Sequence, residues 1–242
     1  MAMKLFLATA AVLLGFPLFL QAQQTDIERL DLYSGFTYFS SPSLNLAEHG
    51  YHLQAGYNTS RLLTLGFDYS IVTGHNSLTP DLLTESLQLQ VATALKDLAL
   101  AGLLPPGYQL SVPTDSSTQT FAAGTQFSYR HFVPVTLFVR PDLGAIREEA
   151  TPRPRDPIAV LIVQQLAPSG HKTSWASFYG FGGGMDWNFS RHLALRLQAD
   201  QVYNHLFNDL LKDSRWTTRA SIGLAFRFGG NILEGKSAPA KP

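Results

Sequence analysis

Cysteine is absent from the 242-residue chain. That excludes a disulfide scaffold, a thiolate metal site and a cysteine nucleophile. Charge is scarce as well, at 15% of residues, and Lys+Arg equals Asp+Glu at 18 each, so there is no basic excess with which to neutralise nucleic-acid phosphates. Beyond the first twenty residues no run of 18 apolar residues occurs, which excludes a membrane-spanning helix in the remainder. What is abundant is aromatic: 16 Phe, 9 Tyr and 3 Trp. A chain so aromatic, with mean hydropathy near zero, is too polar for a helical membrane bundle and too aromatic for disorder.

Lys4 followed by an apolar run from Leu5 to Leu20 predicts a secretory signal peptide cut after Ala22. The run is short for a membrane anchor and no basic cluster follows it. The expected division is a signal peptide at 1–22, an N-terminal extension at 23–29, a barrel at 30–228 and a flexible periplasmic tail at 229–242.

Eight segments of the remaining chain place large apolar side chains at every second position, the period of a strand with two unlike faces. They are residues 30–39, 50–57, 62–74, 118–130, 135–146, 175–189, 193–203 and 216–228. In the last, Trp216, Thr218, Ala220, Ile222, Leu224, Phe226 and Phe228 oppose Thr217, Arg219, Ser221, Gly223, Ala225 and Arg227. Links at 58–61, 131–134 and 190–192 are short, and those at 40–49, 74–117, 150–173 and 204–215 are long. This alternation predicts an all-β, eight-stranded antiparallel up-and-down transmembrane β-barrel with short periplasmic turns and long extracellular loops.

A soluble barrel of lipocalin type turns its apolar face inward; a transmembrane barrel inverts this. Two patterns favour inversion. Aromatics on the apolar face gather toward the short links (Tyr57, Phe127, Tyr129, Trp187, Phe189, Phe226, Phe228) and toward the long ones (Tyr38, Tyr51, Phe121, Trp175, Tyr203, Trp216), as two interfacial girdles do. The polar face carries both signs. Asp68, Asp142, Asp186 and Asp200 are expected to share the interior with Arg130, Arg140, Arg196, Arg219 and Arg227, paired because an uncompensated buried ion costs several kcal/mol. Inward glycines, among them Gly144, Gly182 and Gly184, are expected to make room for the arginines. Such a filled interior makes a poor pore.

The final strand, Ala-Ser-Ile-Gly-Leu-Ala-Phe-Arg-Phe over 220–228, and the glycine-rich Phe-Tyr-Gly-Phe-Gly-Gly-Gly-Met over 178–185 resemble the small outer-membrane β-barrel family, typified by the membrane domain of outer-membrane protein A. The resemblance implies insertion in the outer membrane of a diderm (Gram-negative) bacterium by the barrel-assembly machinery, which reads an aromatic at the end of the last strand; Phe228 matches that position. The segment after Phe228 is too short for the peptidoglycan-binding domain of larger members. A monomer in contact with outer-membrane lipid is the expected state.

In the second long link, Thr79 as cap and Pro80 at the first helical position, followed by apolar residues at helical spacing to Gly102, predict a helix. Its stripe is expected to pack over the barrel mouth or on the apolar run at 158–163 of the next link. His49, His75, His171 and His205, with Asp81, Asp209, Ser77 and Ser169, are the conceivable rim chemistry. No nucleophile elbow or metal-binding spacing occurs, so no catalytic residue, cofactor or metal is assigned. The leading expectation is a non-enzymatic scaffold whose loops bind something outside the cell. A narrow small-solute channel and a rim-located lipid-modifying enzyme are the alternatives.

Overall fold

A computed structural model describes residues 24–44, 46–212 and 215–233. The expected signal peptide and the end of the expected tail lie outside them. Eight strands close into a barrel in sequence order: β1 (Glu28–Ser41), β2 (Leu46–Asn58), β3 (Leu63–Leu78), β4 (Val112–Tyr129), β5 (Val135–Pro152), β6 (Lys172–Asn188), β7 (Leu193–Asn204) and β8 (Arg215–Asn231). Every neighbouring pair is antiparallel, and β8 returns to β1 in a register running from Leu30↔Phe228 to Ser40↔Thr218. Closure leaves no edge strand with unpaired backbone groups.

The chain folds this way because its alternation matches the pleat. Leu32, Phe36, Phe67, Val139, Phe181 and Leu224 point outward and are exposed, while Asp68, Arg140, Arg196 and Arg219 point inward and are buried. Two inverted faces on one closed sheet are the arrangement expected of a barrel bathed in hydrocarbon, not of a lipocalin. One proline interrupts the ladder. Pro141 has no N–H to donate, and β4–β5 pairing skips from Gly124↔Asp142 to Phe127↔Val139 without changing register.

Several sequence expectations are corrected. Strands run further than the alternation suggested, so the link at 40–49, expected to be long, shrinks to one 3₁₀ turn at Pro42–Leu44 because Ser40↔Ala47 and Ser41↔Leu46 pair. The barrel also extends past both expected limits. Glu28 pairs with Asn231, and the Asn231 Oδ1 accepts from the Ile27 N–H at 3.1 Å, so 229–231 belong to the sheet and not to a flexible tail.

The helix of the second link begins later than expected. Thr79 precedes a 3₁₀ turn (Pro80–Leu82), and α1 spans Glu85–Leu100. It ends where Gly102 takes φ +72°, with the Leu103 N–H bonded to the Leu98 carbonyl at 2.9 Å. That closure needs a left-handed residue, which glycine supplies without strain. The third link holds α2 (Pro157–Leu166), capped by Asp156, whose side chain accepts from the Ala159 N–H at 2.8 Å.

Candidate functional site

The inside of the barrel has two storeys. Toward the short turns it is ionic; toward the long loops an apolar cluster dominates, with Glu48 and Glu148 buried beside it. The ionic storey consists of two clusters.

In the one nearer the turns, Arg196 forks onto Asp186 (Nε–Oδ1 2.7 Å, Nη2–Oδ2 2.9 Å) and reaches Asp31 at 3.0 Å. Arg227 bonds the same two carboxylates, Asp31 at 3.1 Å and Asp186, and donates to the Asn188 Oδ1 at 2.7 Å. Fork geometry suits the planar guanidinium and fixes its direction. The Arg196 guanidinium also lies over the rings of Tyr33 and Phe138, 5.5 and 5.1 Å from their centroids.

The second cluster holds three carboxylates. Arg219 bonds Asp68 at 2.8 Å and Asp200 at 2.8 Å, and Arg140 bonds Asp142 at 3.0 Å and Asp68. Two amides join the clusters. Gln54 accepts from Arg196 at 2.9 Å and donates to Asp68 and to Gln198, and Gln198 donates on toward Asp200.

Arg130 is inward and buried too, but it caps the turn end, donating to the Asn58 Oδ1 at 3.0 Å and to the Arg61 carbonyl instead of joining a carboxylate. Each of the nine expected interior charges is thus buried, eight of them in the two clusters. Sequence reasoning missed Asp31, which alternates out of phase with Leu32 and so carried the signal, and left His52, Gln54 and Gln198 as plain polar-face residues.

His52 invites a chemical reading. Its Nε2 meets Asp68 Oδ2 at 2.5 Å and its Nδ1 meets the Ser221 Oγ at 2.9 Å, the residue types of a nucleophilic triad. The surroundings do not suit a nucleophile. His52 is wholly buried, Ser221 donates onward to Thr37 at 3.1 Å, and Arg219 and Arg140 occupy the other side of Asp68. The neighbouring cavity, lined by Gln54, Asp68 and Arg140, is about 30 Å³ and has neither His52 nor Ser221 in its wall.

The glycines serve a different purpose from the one expected. A Cβ on Gly144 would fall 2.7 Å from the Phe178 ring and one on Gly184 2.6 Å from the Phe138 ring. These two accommodate inward phenylalanines, while a Cβ on Gly182 would overlap the Asp200 Oδ1 and one on Gly124 would fall 2.7 Å from the Asp142 Oδ1; at none of the four is an arginine the close neighbour.

Phe178 belongs to the apolar storey, with Phe39, Leu46, Val72, Ala122, Ile146 and Val202. The last link folds down onto it, adding Leu206, Phe207 and Leu211. Above lies the cap, where Val91 of α1, Ala159, Ile162 and Val163 of α2, and Leu83, Leu110 and Val112 pack together. The α1 stripe therefore meets the 158–163 run. Tyr108 ties the two links, donating to Asp156 Oδ1 at 2.9 Å; burial and that carboxylate push its hydroxyl up to about 12.

On the outer face, Tyr57, Phe127, Tyr129, Trp187, Phe189, Phe226 and Phe228 stand exposed toward the turns, and Tyr38, Tyr51, Trp175 and Trp216 toward the loops, with Tyr203 and Phe121 half-buried among neighbouring rings. Tyr203 and Trp216 lie 5.1 Å apart by centroid, and Phe121 and Trp175 stack at 6.3 Å.

The rim histidines do not converge. His75 bonds Asp115 at 2.6 Å and Arg153 bonds the same carboxylate at 3.0 Å; Ser77 and Ser111 line the same open pocket as His75, but among the described residues neither hydrogen-bonds the pair. His49 stacks on Phe36, His205 lies against Tyr203, and Asp209 pairs with Lys172. Among the described residues no group of His, Asp and Glu has the geometry of a metal site.

No protein-family model and no curated protein matches the sequence. Solved structures do match. Neisserial surface protein A aligns over 82% of this chain and 96% of its own at 13% identity, with a TM-score of 0.50. OprG of Pseudomonas aeruginosa aligns over 86% and 99% at 7% identity (TM-score 0.46), and Ail, the attachment invasion locus protein of Yersinia pestis, over 85% and 100% at 10% (TM-score 0.45). With its closed eight-stranded meander, the chain has the fold of the small outer-membrane β-barrels.

Proposed function

We propose that this chain spans an outer membrane as a monomeric, non-conducting, non-enzymatic barrel that serves as a scaffold for an ordered cap displayed outside the cell. The observation that carries the reading is the inverted section. Apolar side chains cover the outside of the strands while paired ions fill the inside. In water this arrangement would leave a broad apolar belt exposed; in a bilayer each face meets its proper medium.

Export through a cleaved signal peptide and insertion by the barrel-assembly machinery, reading Phe228, belong to the same proposal. No nucleic acid, cofactor or metal enters it. The ionic clusters and the apolar layer above them stand in series, which speaks against a channel, and the exposed His75–Asp115 pair has no hydrogen-bonded nucleophile among the described residues, which speaks against rim catalysis. Packing of α1 on α2 gives the loops a fixed shape, as recognition of an extracellular partner favours.

Membrane fractionation with heat-modifiable gel migration tests the location, and planar-bilayer recording tests the lumen. The expected result is an outer-membrane protein whose migration shifts on boiling and which shows no steady single-channel steps. A water-soluble mature chain would overturn the reading.

A further inference from the structure

The two rims of the barrel treat their cations differently. At the loop rim Arg147 bonds Glu149, Arg153 bonds Asp115 and Lys172 bonds Asp209. At the turn rim the three short links, 59–62, 130–134 and 189–192, contain no Asp or Glu at all. Arg130 turns inward there, but Arg191 is exposed and Arg61 and His131 are half-buried, one basic side chain to each link.

The seam between β8 and β1 supplies a fourth. Asp31 points inward, so strict alternation would turn Arg29 inward as well. A bulge between Glu28 and Leu30 resets the phase: Glu28 is buried, and Arg29 is exposed beside Gly229, whose φ of +101° favours glycine. Bulges are a means of re-aiming one side chain. Every quarter of the turn rim thus presents a basic residue. The acids of this end are Glu28, buried beneath, and Asp26, held by the Asn231 amide at 3.1 Å.

Arg191 is also held in position. The His192 Nδ1 meets the Arg227 carbonyl at 3.0 Å and must donate there, which leaves Nε2 to accept from the Arg191 Nε at 2.8 Å. The outer edge of that guanidinium, its Nη groups, is the edge that suits a phosphate.

Beside these cations stand exposed apolar side chains. Leu62 follows Arg61, Phe132 follows His131, Phe189 precedes Arg191 by two, and Phe228 pairs with Leu30 next to Arg29. Rings at an interface with cations just beyond them match the depths of acyl chain and headgroup in one leaflet.

We propose that this rim binds negatively charged phospholipids, with Arg29, Arg61 and Arg191 on the headgroup phosphates and the neighbouring apolar side chains among the acyl chains. The inference rests on the transmembrane reading above.

The test places the full barrel in nanodiscs holding equal phosphatidylcholine and phosphatidylglycerol of the same acyl chains, and counts the lipids it retains by native mass spectrometry. The expected result is an excess of phosphatidylglycerol. Arg29→Gln, Arg61→Gln and Arg191→Gln should each lower the preference about fivefold, and the triple variant should abolish it. Arg147→Gln, on the loop rim, should leave it unchanged. Inorganic phosphate should displace no more lipid than chloride of the same ionic strength. A barrel that migrates heat-modifiably yet retains the two lipids equally, a triple variant that keeps the preference, an equal loss in Arg147→Gln, or specific displacement by phosphate would each overturn the proposal alone. A chain that fails to insert in the nanodiscs would overturn the transmembrane reading and this inference with it.

Discussion

The two storeys of the barrel obey opposite rules. Between the aromatic girdles the outside is apolar and the inside ionic, as in β3, where Leu65, Phe67, Tyr69 and Ile71 face out and Asp68 and Ser70 face in. Two residues further toward the loops the same strand reverses itself: Val72 is buried inside while Thr73 and His75 are exposed outside. β5 does likewise, with Ile146 inside and Arg147 outside. The lower section is thus built for hydrocarbon, while the upper one carries apolar side chains inside beside the buried Glu48 and Glu148, on one continuous sheet. The contrast teaches that the medium, not the strand, sets which face is greasy.

The largest expected effect tests the ionic storey. Arg219→Met leaves Asp68 and Asp200 short of a partner and should cost about 3–5 kcal/mol, read from urea unfolding in lipid vesicles. The apolar storey should be more forgiving: Ile146→Val removes one buried methylene and should cost about 1 kcal/mol in the same assay. If the two substitutions cost the same, the distinction between storeys fails.

Smaller still is the cap. Asp156→Ala deletes the α2 N-cap, worth roughly 0.5 to 1 kcal/mol, and should speed amide exchange in α2 while the barrel's unfolding midpoint stays put. A moved midpoint would mean that cap and barrel form one cooperative unit.

The smallest effect is alkaline. The Tyr108 hydroxyl is raised above its unfolded value, so its bond to Asp156 is fully present below about pH 10 and is lost as pH climbs through about 12. A tyrosinate difference spectrum of wild type against Tyr108→Phe should therefore titrate near 12; a midpoint near 10 would show that the tie is absent.

This contrast also explains what the sequence concealed. Strand number, order and the lower faces were legible because alternation holds its phase between the girdles. It was lost above them, where apolar and polar residues exchange sides. Hence Ser40 to His49 read as a loop although Ser40↔Ala47 and Phe39↔Glu48 pair, and Phe39 and Phe178 went unrecognised as interior residues. Individual partners were illegible for another reason. Arg140 and Asp68 lie on strands that are not neighbours in the barrel, and only the lumen brings them together.

The ionic clusters draw on six strands, β1, β3, β5, β6, β7 and β8. A cylinder missing any one hairpin would therefore strand an unmatched ion inside a greasy wall. Sealing the final seam and neutralising the hollow are one event, and a half-assembled form has no comfortable resting place within the bilayer.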